Sequence, residues 1–217
     1  MIGKFLKEQP ELMMFKFYYS KKSCAYAPHI LLYETGADFE AKHVDFEKNE
    51  QILPEFLQIN PKGRVPALVT PDGVLTENPA ILFFLAQTFP EKALAPNNSF
   101  ELAKAQSFNM FIASTVHVAH AHKHRGYRWV DDREAQIAMA AKVPANMADC
   151  AAMIQKHFFK GPFVLGNSFS MCDPYLALIT RWLDPDGVDL NDFSRLKEHH
   201  EMMKQRPSVQ KASSLYD

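Results

Sequence analysis

The chain has 217 residues, 47% of them hydrophobic, enough for one large domain or two modest ones with a packed core. Lys plus Arg number 24 against 25 Asp plus Glu, a balance that indicates no polyanionic partner, so nucleic acid is not an expected ligand. Three scattered cysteines, Cys24, Cys150 and Cys172, exclude a disulfide framework or a structural zinc site, and reduced thiols with a cytoplasmic location are the expectation.

Residues 1–13 carry no signal-peptide pattern and read as an extension, and no apolar stretch reaches membrane-spanning length, so no membrane association is expected. A first strand is predicted over Met14 to Tyr19 and a helix from about Ala27-Pro28 to Glu34, stopped by Gly36. A second strand follows at Phe39 to Phe46, then a short helix within Gln51 to Ile59. Val65 to Thr70 and Gly73 to Leu75 form two strands joined by Pro71-Asp72-Gly73, since glycine supplies the positive φ that a tight turn needs. Asn78-Pro79 opens a helix to about Thr88, with Asn78 as N-cap and Pro79 in the first turn. The order βαβαββα over 14–92 predicts an α/β domain.

A linker over 93–100 separates it from a helical half, 101–217. Leu102, Ala105, Phe108, Ile112 and Val116 recur at helical spacing, as do Met147, Cys150, Ile154 and Phe158. Pro144 is expected to start or kink the helix in which Ala145 to Phe159 lies. Ser170-Met171-Cys172-Asp173 has the spacing of a capping box before the apolar run Tyr175 to Leu183. A last helix is predicted from about Asn191 to Gln205, ending before Pro207.

Cys24 lies between the first strand and the first helix. A thiolate at a helix N-terminus is stabilised by unpaired N–H groups and the helix dipole, and Lys21 and Lys22 push its pKa the same way, downward. The other reading is a small apolar residue in a buried turn. In Val116 to Arg125, His117, His120 and His124 share one helical face and His122 points away. His120 and His124 have two-ligand spacing, yet no Glu stands between them in the zincin pattern and no third ligand follows, so no metal is expected.

Four segments in order carry a family resemblance: Tyr18-Tyr19-Ser20 through Ser23-Cys24-Ala25-Tyr26-Ala27-Pro28-His29, Ile59-Asn60-Pro61-Lys62-Gly63-Arg64-Val65-Pro66-Ala67-Leu68, Thr76-Glu77-Asn78-Pro79-Ala80-Ile81, and Phe169-Ser170-Met171-Cys172-Asp173. From residue 14 to about 212 the chain resembles the glutathione S-transferase family, most of all its bacterial beta-like branch, which carries a cysteine at the position of Cys24. The resemblance implies a thioredoxin-like N-terminal domain, an all-α C-terminal domain and a homodimer. It also implies a cis peptide before Pro66, which would free Val65 N–H and C=O to pair with the extended backbone of glutathione. The start of the Asn78 helix would receive the γ-glutamyl carboxylate and Glu77 the α-ammonium, although the family commonly has Ser or Gly at the position of Asn78. Lys48 corresponds to a lysine that reaches the glycyl carboxylate, and His117 to a histidine facing the sulfur, where a neutral imidazole would accept a proton or donate a hydrogen bond.

The implied activity is that of a detoxifying glutathione transferase with glutathione as co-substrate and no other cofactor. Ser23 or Cys24 would stabilise the glutathione thiolate for attack on a small hydrophobic electrophile. Phe108, Phe111, Ile112, Tyr127 and Trp129 are candidates for its pocket, and equally for core or dimer contacts. Cys24 leaves glutathione-dependent thiol–disulfide exchange open. A non-catalytic glutathione-binding protein of the same fold is the third reading.

Overall fold

The computed structural model describes residues 14–216, so the extension expected over 1–13 lies outside the described residues. Four strands, β1 (Phe15–Tyr19), β2 (Phe39–His43), β3 (Ala67–Thr70) and β4 (Gly73–Thr76), form one mixed sheet in the order β2-β1-β3-β4. β1 runs parallel to β2, with Phe15 opposite Phe39, and antiparallel to β3, with Phe17 opposite Leu68. The parallel pair requires a crossover, which α1 (Tyr26–Thr35) supplies. Gly36 ends that helix in the left-handed region at φ 72°, a conformation cheap only for glycine.

Alternation along β1 decides what each face packs against. Phe15 and Phe17 are fully buried toward the helices, with Phe17 meeting His29 of α1 at 5.0 Å between ring centroids and Phe15 meeting Phe84 at 6.1 Å. Tyr18 points to the other face, against Phe56 of the short helix α2 (Pro54–Leu57). Burying such a ring contributes about 2–3 kcal/mol. Phe84 belongs to α3 (Asn78–Thr88), which packs on α1.

The rest is helical. α4 (Ser99–Phe111) is capped by Asn98, whose Oδ1 accepts from Phe100 N–H at 3.0 Å and Glu101 N–H at 3.1 Å. A π-turn over Ile112–Val116 leads into α5 (His117–Arg125). α6 (Arg133–Met153) begins at an Asp132 cap and passes through Pro144, which therefore does not start the helix as expected. Pro144 is exposed, while Val143 and Met147 on either side are buried and hold the helix to the core.

α7 (Asp173–Leu183) packs against α1 and joins the two halves. The box at its start is present: Asp173, fully buried, accepts from Ser170 N–H at 2.7 Å and Ser170 Oγ at 2.8 Å. It also accepts Val164 N–H at 2.8 Å and lies 3.1 Å from His199 Nε2, a partner the motif did not reveal. After α8 (Ser194–Lys204) the chain does not stop being helical at Pro207. Proline is tolerated at a first helical turn, and α9 (Pro207–Tyr216) opens on it and returns Val209, Ala212 and Tyr216 to α1. The Val65-Pro66 peptide is cis, and Gly161-Pro162 is a second cis bond that was not anticipated.

Candidate active site

Three chain segments meet at the Cys24 end of the sheet. The turn after β1 is fastened by Ser23, whose Oγ donates to Ser20 C=O at 2.6 Å and accepts weakly from Ser20 and Ala25 N–H. That hydroxyl proton is thus committed to the turn. Cys24 follows, half-buried, with its Sγ 3.7 Å from Val65 C=O, the carbonyl beside the cis bond. Asn78 at the start of α3 donates through Nδ2 to Cys24 C=O at 2.8 Å. The thiol, the cis-proline turn and the α3 N-terminus are therefore one connected unit.

Asn78 corrects one expectation. Its side chain does not cap α3, since it is spent on Cys24, and Glu77 takes the cap position with no side-chain cap bond. Pro79 has no N–H and Ile81 N–H reaches Glu77 C=O, which leaves the N–H groups of Asn78 and Ala80 at the positive end of the helix. A ligand carboxylate is the natural partner there. Glu77 stands at φ 72°, ψ 128°, a strained backbone for a residue with a side chain and one that points its carboxylate outward. Lys62 Nζ is 2.5 Å from Glu77 Oε1 and 2.6 Å from Thr76 Oγ1, so an incoming ammonium would share Glu77 with that lysine.

The electrostatics of Cys24 run against the sequence expectation. Although the residue touches solvent, enough protein surrounds the sulfur that burial pushes the thiol up to about 11; Arg125, then Arg64, oppose the rise, and Glu77 adds to it. Lys21 and Lys22, which were expected to lower it, point into solvent and contribute nothing resolved. Cys24 is a neutral S–H donor at physiological pH, not a thiolate.

His117 opens α5, its ring 5.0 Å from Trp182. Burial first, then repulsion from Arg125, His120, Arg64 and Arg128, lowers its pKa to about 3. The imidazole is neutral, as expected, and too weak a base to take a thiol proton. His120 and His122 are accounted for by packing, and His124 is exposed. His120 stacks on Trp182 at 3.9 Å and binds Asp186 Oδ2 through Nδ1 at 2.6 Å, and His122 meets the edge of Trp129. Among the described residues no three potential ligands converge.

Other sequence candidates fall away from the cleft. Lys48 is largely exposed and pairs with Asp45 at 3.1 Å. Phe108 and Ile112 are core, Phe111 stacks on Phe158, and Tyr127 and Trp129 are exposed, so these five do not jointly line a pocket. The motifs did not single out Arg125, Arg64 or Tyr175. The Tyr175 hydroxyl is buried beside the Asn78 amide and near Cys24, without the geometry of a hydrogen bond to Asn78 Oδ1. The run Lys123-His124-Arg125 with Arg128 one turn on was a visible signal for the first.

Residues 14–87 match the N-terminal domain of glutathione S-transferases. A glutathione transferase homologue from Sulfitobacter, solved with bound glutathione, is 39% identical and superposes with a TM-score of 0.90 over 93% of this chain and 97% of its own. A bacterial beta class glutathione S-transferase from Sphingomonas chungbukensis is 32% identical, with a TM-score of 0.75 over 92% of this chain and 97% of that one. A zeta class glutathione S-transferase from Euphorbia esula is 30% identical over 94% of this chain and 92% of its own length. The chain belongs to the glutathione S-transferase family.

Proposed function

We propose that the protein is a glutathione transferase that binds the tripeptide along Val65 and the start of α3, stabilises its thiolate and delivers it to a small electrophile. The observation that carries this reading is the connected unit of Cys24, Val65 and Asn78, with contacts of 3.7 Å and 2.8 Å. An extended peptide backbone would pair with Val65, its γ-glutamyl carboxylate would meet the free N–H groups of α3, and its ammonium Glu77. The sulfur then falls beside Cys24.

Cys24 S–H now points at Val65 C=O, the acceptor a bound tripeptide would take. On binding, the S–H would turn to the glutathione sulfur and donate to its thiolate, which lowers the glutathione pKa without Cys24 itself ionising. This protonated state favours conjugation over thiol–disulfide exchange, which needs a Cys24 thiolate. Ser23 would fix the turn rather than touch the sulfur. Exposed Phe46, Ile52, Leu53 and Leu57 between β2 and β3 support a homodimer, formed by covering that apolar segment. Three free cysteines support a cytoplasmic location, and among the described residues no helix is long and apolar enough to cross a membrane.

The test is Cys24→Ala, assayed for conjugation of an aryl chloride and for reduction of a glutathione mixed disulfide. Conjugation is expected to fall about tenfold, the loss of one hydrogen bond to a charged sulfur. Intact conjugation with abolished disulfide reduction would move the protein to exchange chemistry. Retention on immobilised glutathione with neither reaction, in the wild type, would make it a binding protein.

A further inference from the structure

A cavity of about 310 Å³ lies between α8 and the segment after α6, and it shares no lining residue with the unit of Cys24, Val65 and Asn78. Arg195, Glu198, His199 and Met202 line it at i, i+3, i+4 and i+7, which is one face of α8, and are joined there by Phe159 and Gly161.

His199 is the buried member, 1% exposed. Its Nε2 lies 3.1 Å from Asp173 Oδ1. That carboxylate accepts Val164 N–H on Oδ1, and Ser170 N–H and Oγ–H on Oδ2, so it is an acceptor on every side and Nε2 donates to it. Nδ1 is then a lone pair, and among the described residues it has no hydrogen-bond partner. A buried acceptor without a donor is costly.

Two opposite charges stand on the same helical face. Arg195 is half-buried: Nη1 donates to Gln155 C=O at 3.0 Å, Nη2 to Phe159 C=O at 2.7 Å, and the guanidinium lies 5.0 Å from the centre of the Phe159 ring. Those bonds use two of its five N–H groups. A side chain at Gly161 would bring Cβ to 3.2 Å from Nη2, so the glycine leaves the guanidinium its room. Glu198 is exposed, and among the described residues neither it nor Arg195 has an ion-pair partner, although the two are three residues apart. The lining therefore offers a cation, an anion beside an imidazole lone pair, and an aromatic ring with a thioether. That set matches a small zwitterion with an apolar body, and the volume suits a small molecule.

We propose that this cavity binds a free α-amino acid with an apolar side chain. Its carboxylate meets Arg195, its ammonium lies between Glu198 and His199 Nδ1, and its side chain packs on Phe159 and Met202. Nδ1 is covered, so the ammonium reaches it as a lining side chain turns aside; Met202, unbranched and flexible, is the one suited to yield. No covalent bond forms or breaks, and glutathione takes no part.

The probe is L-leucine, titrated into the full chain by calorimetry, with one site per chain and a Kd below about 1 mM expected. 4-Methylpentanoate, which lacks the ammonium, and 3-methylbutylamine, which lacks the carboxylate, should each bind at least about tenfold more weakly. Glu198→Gln, an exposed substitution that leaves the Asp173 bond in place, should weaken L-leucine about tenfold. The Nδ1 resonance of His199, read by nitrogen-15 NMR, should move as L-leucine saturates, and saturating glutathione should leave the titration unchanged. No binding at about 10 mM L-leucine would overturn the proposal. So would binding that Glu198→Gln does not weaken, binding that leaves His199 Nδ1 unmoved, or binding that glutathione abolishes, since the last would place the amino acid at the tripeptide's own site.

Discussion

The two walls of the cleft are built by different means. On the sheet side the groups proposed to bind are main-chain: Val65 C=O beside a cis bond, the N–H groups of Asn78 and Ala80, and a Glu77 backbone at φ 72°. On the helical side α5 offers long side chains, among them His117, while its His120 is engaged by Trp182 and Asp186. A main-chain site recognises what every glutathione molecule shares. A side-chain site is free to vary with the electrophile, because replacing a side chain leaves the helix in place.

That contrast can be broken at several points, beginning with the largest effect. If the sheet-side thiol is held neutral, alkylation of Cys24 should climb about tenfold per pH unit through the alkaline range toward its pKa of about 11. A rate already level at neutral pH would place a thiolate there. Mass spectrometry of the Cys24 peptide reads it apart from Cys150 and Cys172, both buried.

Acid should act next. His29 is fully buried with its pKa lowered to about 4, mainly by burial, and His117 is lowered to about 3. Below the ordinary imidazole value the unfolded chain takes up protons that these folded histidines refuse. Stability is therefore intact above pH 6.5 and declines as pH falls toward 4, by about a few kcal/mol. Urea midpoints across that range measure it, and a flat profile would contradict the burial of both rings. The smallest effect belongs to Asn78→Ala, which removes the bond to Cys24 C=O and should weaken glutathione binding about tenfold. Unchanged affinity would separate Asn78 from the site.

The same division governs what was legible beforehand. Strand alternation, the Gly36 stop, the Asp72-Gly73 turn and the Ser170–Asp173 box are local rules, and each appears where its residues stand. Cys24, Val65 and Asn78 stood out in motifs of fixed residue types, and the structure brings the three into contact. Three things escaped. Asn78 was read as a cap because a local bond to α3 and a long-range bond to Cys24 C=O look the same in sequence. Of the two readings open for Cys24, the acidic one rested on the helix start and the lysines, which a sequence shows, while burial, which dominates, is visible only in the fold. Pro144 was given as a start or a kink, and the start failed because the buried face that carries α6 through it is a tertiary property.

The central claim is that Cys24 donates a neutral S–H to the glutathione thiolate. Ultraviolet titration of glutathione bound to the wild type and to Cys24→Ala tests it most directly. The wild type should ionise bound glutathione below its free thiol pKa, and Cys24→Ala should lose most of that depression. Superimposable titrations of the two proteins would contradict it.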